Sequence, residues 1–351
     1  MIRGVHILNV MLANGAGGLE AMALHAHKAL QAEGAVVMSL GAQKSWFGGA
    51  FDGDPGAWQA FTAWTAFDPT APQRLRRMTA GFAPQLVMAH GSRATSLAVK
   101  TFAGRIPVVA VVHNFRARKD LAYADLAICV SQAVTEDVWI HFPKLRAVTV
   151  ENFAPLRAGP GPSAHDGPPR IGSIGRMHRN KGYDLLLEAA ARLKARGLDF
   201  RLTLAGDGPE LAPLKALAGR LGLDDRVEFT GWMDSPADVL KTLDLFVLSS
   251  RVEPFGLVVI EAMAFGTPVV STNIDGPRDI LAGGQLGRLA RAADPEALAD
   301  AIAAALADPQ GARATAQIAQ ASALERYSVK AGGARLAAAL EQAGMGASRW
   351  T

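Results

Sequence analysis

Along its whole length the chain alternates short apolar runs with longer segments of helical periodicity, and it does so twice. In the first half the runs fall at 5–10, 35–40, 86–89, 108–112, 126–130 and 147–150. In the second they fall at 170–174, 201–205, 227–230, 245–248 and 268–271. They are short, rich in β-branched residues and lack strict alternation, as strands buried on both faces of a parallel sheet do. Helical stretches such as 18–32 and 183–196 separate them. Such alternation builds doubly wound α/β sheets, whose ligands bind beyond the carboxyl ends of the strands. Between the halves, 154–169 concentrates Gly and Pro and can form neither a helix nor a central strand. The expected organisation is a first domain over 1–153, a linker over 154–169 and a second domain over 170–330.

A length of 351 residues is comfortable for two such cores, and half the residues are apolar. The first residues are apolar but broken by Arg3, His6 and Asn9, which reads as a first strand rather than a signal peptide. No run reaches the length of a spanning helix. The single cysteine, Cys129, rules out an intramolecular disulfide and fits a reducing cytoplasm; its apolar setting reads as a buried strand residue. The net charge of +4 is unevenly placed. Residues 1–155 hold 14 Lys/Arg against 10 Asp/Glu, whereas 156–351 hold 22 of each. That surplus suits attraction to anionic lipid headgroups, and it is too diffuse for a nucleic-acid footprint.

Glu253 and Glu261 lie eight residues apart around Pro-Phe255-Gly256-Leu257, between an apolar strand and an apolar helix. The unpaired first amides of a helix attract phosphate, and Gly256 permits close approach of a ligand. Glu261 is flanked by apolar residues on both sides, an odd place for an idle charge. An ordinary strand–helix unit with solvated acids is the bland alternative. The turn Gly175-Arg176-Met-His-Arg-Asn-Lys181-Gly182 follows the first strand of the second half. Arg as a fork and Lys as a point charge can hold a diphosphate there; a solvated basic turn is the alternative.

The turn Asn14-Gly-Ala-Gly17-Gly18-Leu-Glu20 is not a dinucleotide fingerprint, because the last glycine of G-x-G-x-x-G would fall at Glu20. His113 closes the run 108–112, where it could bond a sugar oxygen or accept a proton. His90 is placed similarly after 86–89. His25 and His27 share no helix face, and no His/Cys/Asp cluster has metal-ligand spacing. Trp46, Phe47, Phe51, Trp58, Phe61, Trp64 and Phe67 crowd one stretch, and those from Trp58 recur every three residues as on one helix face. The following segment, 73–82, sets Leu75, Met78 and Phe82 beside three arginines. Aromatics beside arginines suit a membrane interface or a lipid-linked acceptor. The alternative, which we favour, is an ordinary packed helix with a solvated face.

Taken together these motifs resemble the retaining glycosyltransferases of family four. The resemblance rests on Ser173-Ile-Gly-Arg-Met-His-Arg-Asn-Lys-Gly182, Leu204-Ala-Gly-Asp-Gly-Pro-Glu210, Val227-Glu-Phe-Thr-Gly231 and the E-x7-E block of Glu253 and Glu261. It implies a GT-B fold, two facing Rossmann-like doubly wound domains with a cleft between them, and a helix after about 330 crossing back to the first domain. It implies that Glu261 holds ribose hydroxyls, that Glu253 meets the donor sugar, and that the amides of Phe255, Gly256 and Leu257 cradle a diphosphate neutralised by Arg176 and Lys181. Gly175 would border the donor, Met233 would meet its base, and Gly17, Gly18 and His113 would approach it from the first domain. Asn114, where an acid is frequent, and Ser249, where proline is frequent, depart from the pattern.

The implied activity is retaining transfer from a nucleoside-diphosphate sugar to an acceptor hydroxyl, without a metal or cofactor. The acceptor would be a saccharide or lipid-linked saccharide of the cell envelope, such as a lipopolysaccharide, exopolysaccharide or glycolipid. The protein would be cytoplasmic, at the inner face of the membrane where its first domain meets anionic lipid, with no nucleic acid as partner. A nucleotide-sugar epimerase and a non-catalytic nucleotide-sugar-binding protein are the alternatives; an NAD dehydrogenase is disfavoured by the failed fingerprint.

Overall fold

The computed structural model describes residues 2–15, 17–51, 56–62, 68–115, 119–233 and 235–344. The chain divides into two compact units, Met1–Pro155 with Ser328–Thr351, and Leu156–Tyr327.

Among the described residues the first unit holds seven parallel strands. They are β1 (His6–Met11), β2 (Val36–Gly41), β3 (Trp58–Ala60), β4 (Leu86–His90), β5 (Val108–Val112), β6 (Leu126–Cys129) and β7 (Ala147–Thr149), in the order β3-β2-β1-β4-β5-β6-β7. The second holds β8 (Arg170–Ile174), β9 (Arg201–Ala205), β10 (Val227–Gly231), β11 (Leu245–Leu248), β12 (Val269–Thr272) and β13 (Arg288–Ala290), in the order β10-β9-β8-β11-β12-β13. Both orders reverse beside the first strand of the unit, between β1 and β4 and between β8 and β11. This is the Rossmann topology, and it makes these two places the switch points where ligands bind.

Burial follows topology. Every residue of the central strands β4, β5, β6, β11 and β12 is buried, whereas β10, at an edge, alternates partly buried with exposed positions. Central strands are covered by helices on both faces; an edge strand has only one face to hide. Cys129 lies fully buried on β6, and that burial pushes its thiol up to about 11, so it is an inert core residue.

Three expectations change. Trp58 is the first residue of strand β3, not part of a helix, and Phe61 follows the strand into the core. Three-residue spacing over so short a run cannot separate a helix face from a strand running into a turn. Trp64 and Phe67 lie outside the described residues. Phe47 and Phe51 pack edge to face with ring centroids 5.3 Å apart, so much of the aromatic crowd is core; Trp46 is exposed. β13 gave no strand signal at all, because its three residues are Arg-Leu-Ala at an edge.

The helix Ala71–Thr79 is the ordinary amphipathic one: Leu75 is buried, Met78 packs on the core, and Arg74 donates to Asp68 at 2.6 Å. The segment read as a linker is fastened to the second unit. Its Gly159 and Gly161 amides donate to the carbonyls of Ala264 and Phe265, at 3.1 and 2.8 Å. These are orphan carbonyls of the helix Leu257–Phe265, so the segment caps a helix that carries candidate site residues.

In the first unit the helix Val329–Gln342 packs against the helix Gly18–Ala32, and two glycines make the approach possible. A Cβ on Gly333 would sit 3.0 Å from that of Ala29, and one on Gly332 would overlap the ring of Phe153. Gly332→Ala should therefore destabilise the first unit by about 1–3 kcal/mol through overpacking. Gly219→Ala has only ordinary contacts in the helix Leu211–Arg220 and should stabilise by about 0.5–1 kcal/mol. Urea titration followed by circular dichroism reads both; equal midpoints for the two variants would contradict the packing described.

Candidate functional site

In the second unit both strands that flank the switch point end in a candidate motif. β8 runs into Gly175-Arg176 and continues to Lys181 and Gly182, and β11 runs into Ser249-Ser250-Arg251-Val252-Glu253. Lys181 Nζ donates to Glu253 Oε2, joining groups 72 residues apart. Further bonds tie the β11 loop to the β8 loop and to the helix that follows it. Ser249 Oγ donates to the Lys181 carbonyl at 3.0 Å, and the Arg251 amide donates to the Asn180 carbonyl at 2.7 Å. The Arg251 guanidinium grips Asp184 with two 2.6 Å bonds and reaches the Arg179 carbonyl at 3.2 Å. Burial works against the Asp184 charge, but the Arg251 fork outweighs it and holds the carboxyl below the usual range.

Glycine is required at the tightest points. Gly182 has φ 64°, and a Cβ there would collide with the Ser249 carbonyl. A Cβ on Gly206 would collide with the carbonyl of Gly175, which already accepts from Tyr183 Oη at 3.0 Å. Arg176 is exposed and has no ion pair among the described residues. It is thus a cation without a counter-ion among the described residues, at the end of β8 beside the switch point.

The helix Leu257–Phe265 begins after Gly256, whose φ of 110° suits only glycine, and ends at Gly266 with φ 80°. Phe255 is buried, its ring edge-to-face with Tyr327 at 5.7 Å, and Gly276 packs against its backbone so closely that a Cβ would not fit. The start of the helix is thereby fixed with its first amides unpaired by intrahelical bonds, an anion site in waiting. Glu261 stands one turn in. No side-chain hydrogen bond reaches its carboxylate among the described residues, and burial raises its pKa to about 7. Met233, after β10, is partly buried beside the exposed Trp232.

In the first unit, His90 ends β4 and His113 follows β5, so adjacent parallel strands bring them together. His90 Nδ1 lies 3.1 Å from His113 Nε2, and both rings are buried. Burial lowers His113 to about 4 and His90 well below its usual value, with His113 adding to the second shift, so both are neutral at pH 7. Gly17 and Gly18 start the helix Gly18–Ala32, and the Gly17 amide donates to Glu20 Oε2 at 3.0 Å. That amide is occupied within the turn. His25 and His27 are each satisfied separately, by the Phe153 carbonyl and by Ser39 Oγ, both at 2.9 Å. Among the described residues no group of His, Cys, Asp and Glu has the arrangement of a metal site, and no helix is long and apolar enough to cross a membrane.

Sequence reasoning missed Arg251 and Asp184. Arg251 stands two residues before Glu253 and Asp184 two after Gly182, but no local signal says that they meet. It also gave His90 no partner.

Residues 161–322 match the family model for glycosyl transferases group 1. The matched stretch lies within the second unit. Over 140 residues the chain is 42% identical to the lipopolysaccharide core biosynthesis glycosyltransferase LpsE of Rhizobium meliloti, covering 40% of each protein. Over 182 residues it is 33% identical to the α-D-kanosaminyltransferase of Streptomyces kanamyceticus, covering 51% of this chain and 47% of that one. The aligned stretches thus span less than half the length of these relatives. The fold is shared with Anabaena HepE solved with UDP and glucose, at TM-score 0.81 and 22% identity over 96% of this chain and all of that one. The lipopolysaccharide outer core galactosyltransferase WaaB superposes with TM-score 0.76 and 17% identity over 97% and 99%. Two parallel-sheet Rossmann-like domains are the architecture of these GT-B glycosyltransferases.

The raised value of Glu261 carries a stability consequence. Its folded pKa of about 7 exceeds the usual 4.5. The stability linked to it is therefore whole below 4.5 and lost as pH rises through about 7. Glu261→Gln should stabilise the protein at pH 8 by up to roughly 3 kcal/mol and have little effect at pH 4.5. Thermal melts at the two pH values check this; an equal shift at both would remove the desolvated carboxylate from the account.

Proposed function

We propose that the protein is a retaining glycosyltransferase that moves a sugar from a nucleoside-diphosphate sugar to an acceptor hydroxyl. The observation that carries the reading is the Lys181–Glu253 pair at the second switch point, beside a helix start of unpaired amides and an unpartnered Glu261. A diphosphate laid on the amides of Phe255, Gly256 and Leu257 would draw Lys181 from Glu253 and add Arg176. Glu253, released, becomes an acceptor for hydroxyls of the donor sugar. Glu261 accepts from the ribose hydroxyls, Gly175 borders the phosphates, and Met233 faces the base. In the first unit His113 and the Gly17–Gly18 turn face the saccharide.

In the reaction the bond from the anomeric carbon to the diphosphate oxygen breaks and a bond to the acceptor oxygen forms on the same face. The acceptor proton passes to the departing phosphate oxygen, so configuration is retained and the products are glycoside and nucleoside diphosphate. Negative charge grows on the leaving group, where Arg176, Lys181 and the helix start act without reorganising. No step calls for a metal. The lipopolysaccharide enzymes among the relatives support a cell-envelope saccharide, lipid-linked or free, as acceptor. The basic first half supports cytoplasmic work against an anionic membrane.

Two measurements test the reading. Lys181→Ala should lower turnover by at least roughly tenfold, with EDTA leaving the native rate unchanged; wild-type kinetics in the variant would refute its role. Nucleotide affinity should rise between pH 6 and 8, since ribose hydroxyls need the ionised form of a Glu261 that titrates at about 7. Calorimetry across that range reads it, and an affinity that falls with pH contradicts the assignment.

A further inference from the structure

Asn14 and Gly15 follow β1 at the switch point of the first sheet, and of the six asparagines in the chain only Asn14 precedes a glycine. The other five stand before Val10, Phe115, Phe153, Lys181 and Ile274. The amide nitrogen of a residue can attack the side chain of an asparagine before it. A side chain on the attacking residue obstructs that approach, and glycine has none.

The fold separates Asn14 from the rest as well. Asn14 and Gly15 are both exposed, and neither the Asn14 side chain nor the Gly15 amide has a hydrogen bond among the described residues. Such an amide can lose its proton to solvent, and such a carboxamide can turn to meet it. The other asparagines are restrained. Asn9 is buried, its Nδ2 donating to the Ala23 carbonyl at 3.0 Å and to Ser39 Oγ at 2.9 Å. Asn152 is buried too. Asn180 and Asn273 are exposed, but the amides that would attack them donate elsewhere: Lys181 to the His178 carbonyl at 2.8 Å and Ile274 to that of Thr272 at 2.9 Å. Asn114 is exposed, ahead of the bulky Phe115.

We propose that Asn14 is a site of spontaneous deamidation in the native protein. The Gly15 nitrogen gives its proton to hydroxide and bonds to Asn14 Cγ. The Cγ–Nδ2 bond breaks, ammonia leaves with a proton taken from water, and a cyclic imide joins the two residues. Water then adds to one of the two imide carbonyls, and the bond from that carbon to the ring nitrogen breaks. Opening at Cγ gives aspartate; opening at the backbone carbonyl gives an isoaspartyl linkage, one carbon longer along the chain. In sum one water is consumed and one ammonia released, with nothing oxidised or reduced.

The new charge falls on a turn that is itself held by a carboxylate. Glu20 Oε2 accepts from the Gly17 amide at 3.0 Å, and a Cβ on Gly15 would stand 2.8 Å from Glu20 Oε1, so the Glu20 carboxylate lies along the Gly15 backbone. A second carboxylate one residue earlier repels it, more strongly at low salt. That repulsion loosens Glu20 from the Gly17 amide. The longer isoaspartyl backbone also displaces Gly17 and Gly18, where the helix Gly18–Ala32 starts. The lability is independent of glycosyl transfer; only its effect on activity rests on that reading, in which the Gly17–Gly18 turn faces the saccharide.

The test holds the full native chain at pH 6 and pH 8 and follows it by peptide mass spectrometry. Residue 14 should convert before every other asparagine, and faster at pH 8, because the attacking nitrogen must lose its proton. In heavy-oxygen water the label should enter residue 14. Hydroxylamine, which cleaves the imide, should cut the chain between Asn14 and Gly15. Asn14→Gln, whose longer side chain closes the ring poorly, should abolish all three signals. In Asn14→Asp the Gly17 amide should exchange with deuterium about twofold faster or more, the size expected for a weakened helix-start contact. Earlier conversion at another asparagine, or an Asn14 that stays intact in the native chain and reacts only in urea, would overturn the site. Unchanged Gly17 exchange in Asn14→Asp would overturn its effect on the turn. A chain that converts as expected yet transfers no sugar before conversion counts against the donor reading alone.

Discussion

The bonding of the β8 and β11 loops is the constraint on which the second unit's site depends. Each loop alone is a basic or acidic turn of no fixed geometry. Together they are cross-linked by Ser249, by the Arg251 amide and by the Arg251–Asp184 fork. These bonds locate Lys181 against Glu253 before any ligand arrives. A charge-assisted bidentate pair fixes angle as well as distance, which a single point contact does not. The glycines complete the arrangement. Gly182 passes the Ser249 carbonyl and Gly206 passes the Gly175 carbonyl at distances that no side chain permits.

The site is tense in its electrostatics rather than its backbone. Glu261 has lost water and gained no donor among the described residues, which is why its pKa climbs to about 7. A residue chosen for stability alone would be Gln or an apolar group. Lys181 and Glu253 neutralise each other when no ligand is present, while Arg176 does not share that neutrality. Under the proposed activity an incoming anion would therefore meet Arg176, which has no ion pair among the described residues, and the helix start first. The second cation is released only by trading one partner for another, so affinity for a lone anion should be modest. A ligand carrying both anion and hydroxyls satisfies every group at once.

The fold was legible because parallel strands buried on both faces leave a strong signature, and most strands lie within a residue or two of where the apolar runs put them. β3 (Trp-Gln-Ala) and β13 (Arg-Leu-Ala) escaped because their residues make no β-branched apolar run, whereas the equally short edge strand β7 (Ala-Val-Thr) lies in one. In the site, the helix start was legible around Gly256, whose position after a strand and before an apolar run fits its φ of 110°. Contacts across the fold were not. Nothing near Arg251 points to Asp184, 67 residues away, and nothing near His90 points to His113 on the next strand. Position after a strand suggested each histidine, but their shared proton is a property of strand adjacency.

The family match covers 161–322 and so falls wholly within the second unit. There is a physical reason for such asymmetry. A nucleoside diphosphate presents the same phosphates and ribose whatever sugar it carries, so the groups that hold it are tied to fixed chemistry. Acceptors differ in shape, charge and linkage, and the loops of a scaffold can vary to suit them without disturbing the sheet. Under the proposed activity the first unit's switch point would follow that logic. Its sheet is as regular as the second's, yet its loops carry a neutral histidine pair and the exposed Arg93, which makes no ion pair among the described residues, in place of the second unit's bonded loops.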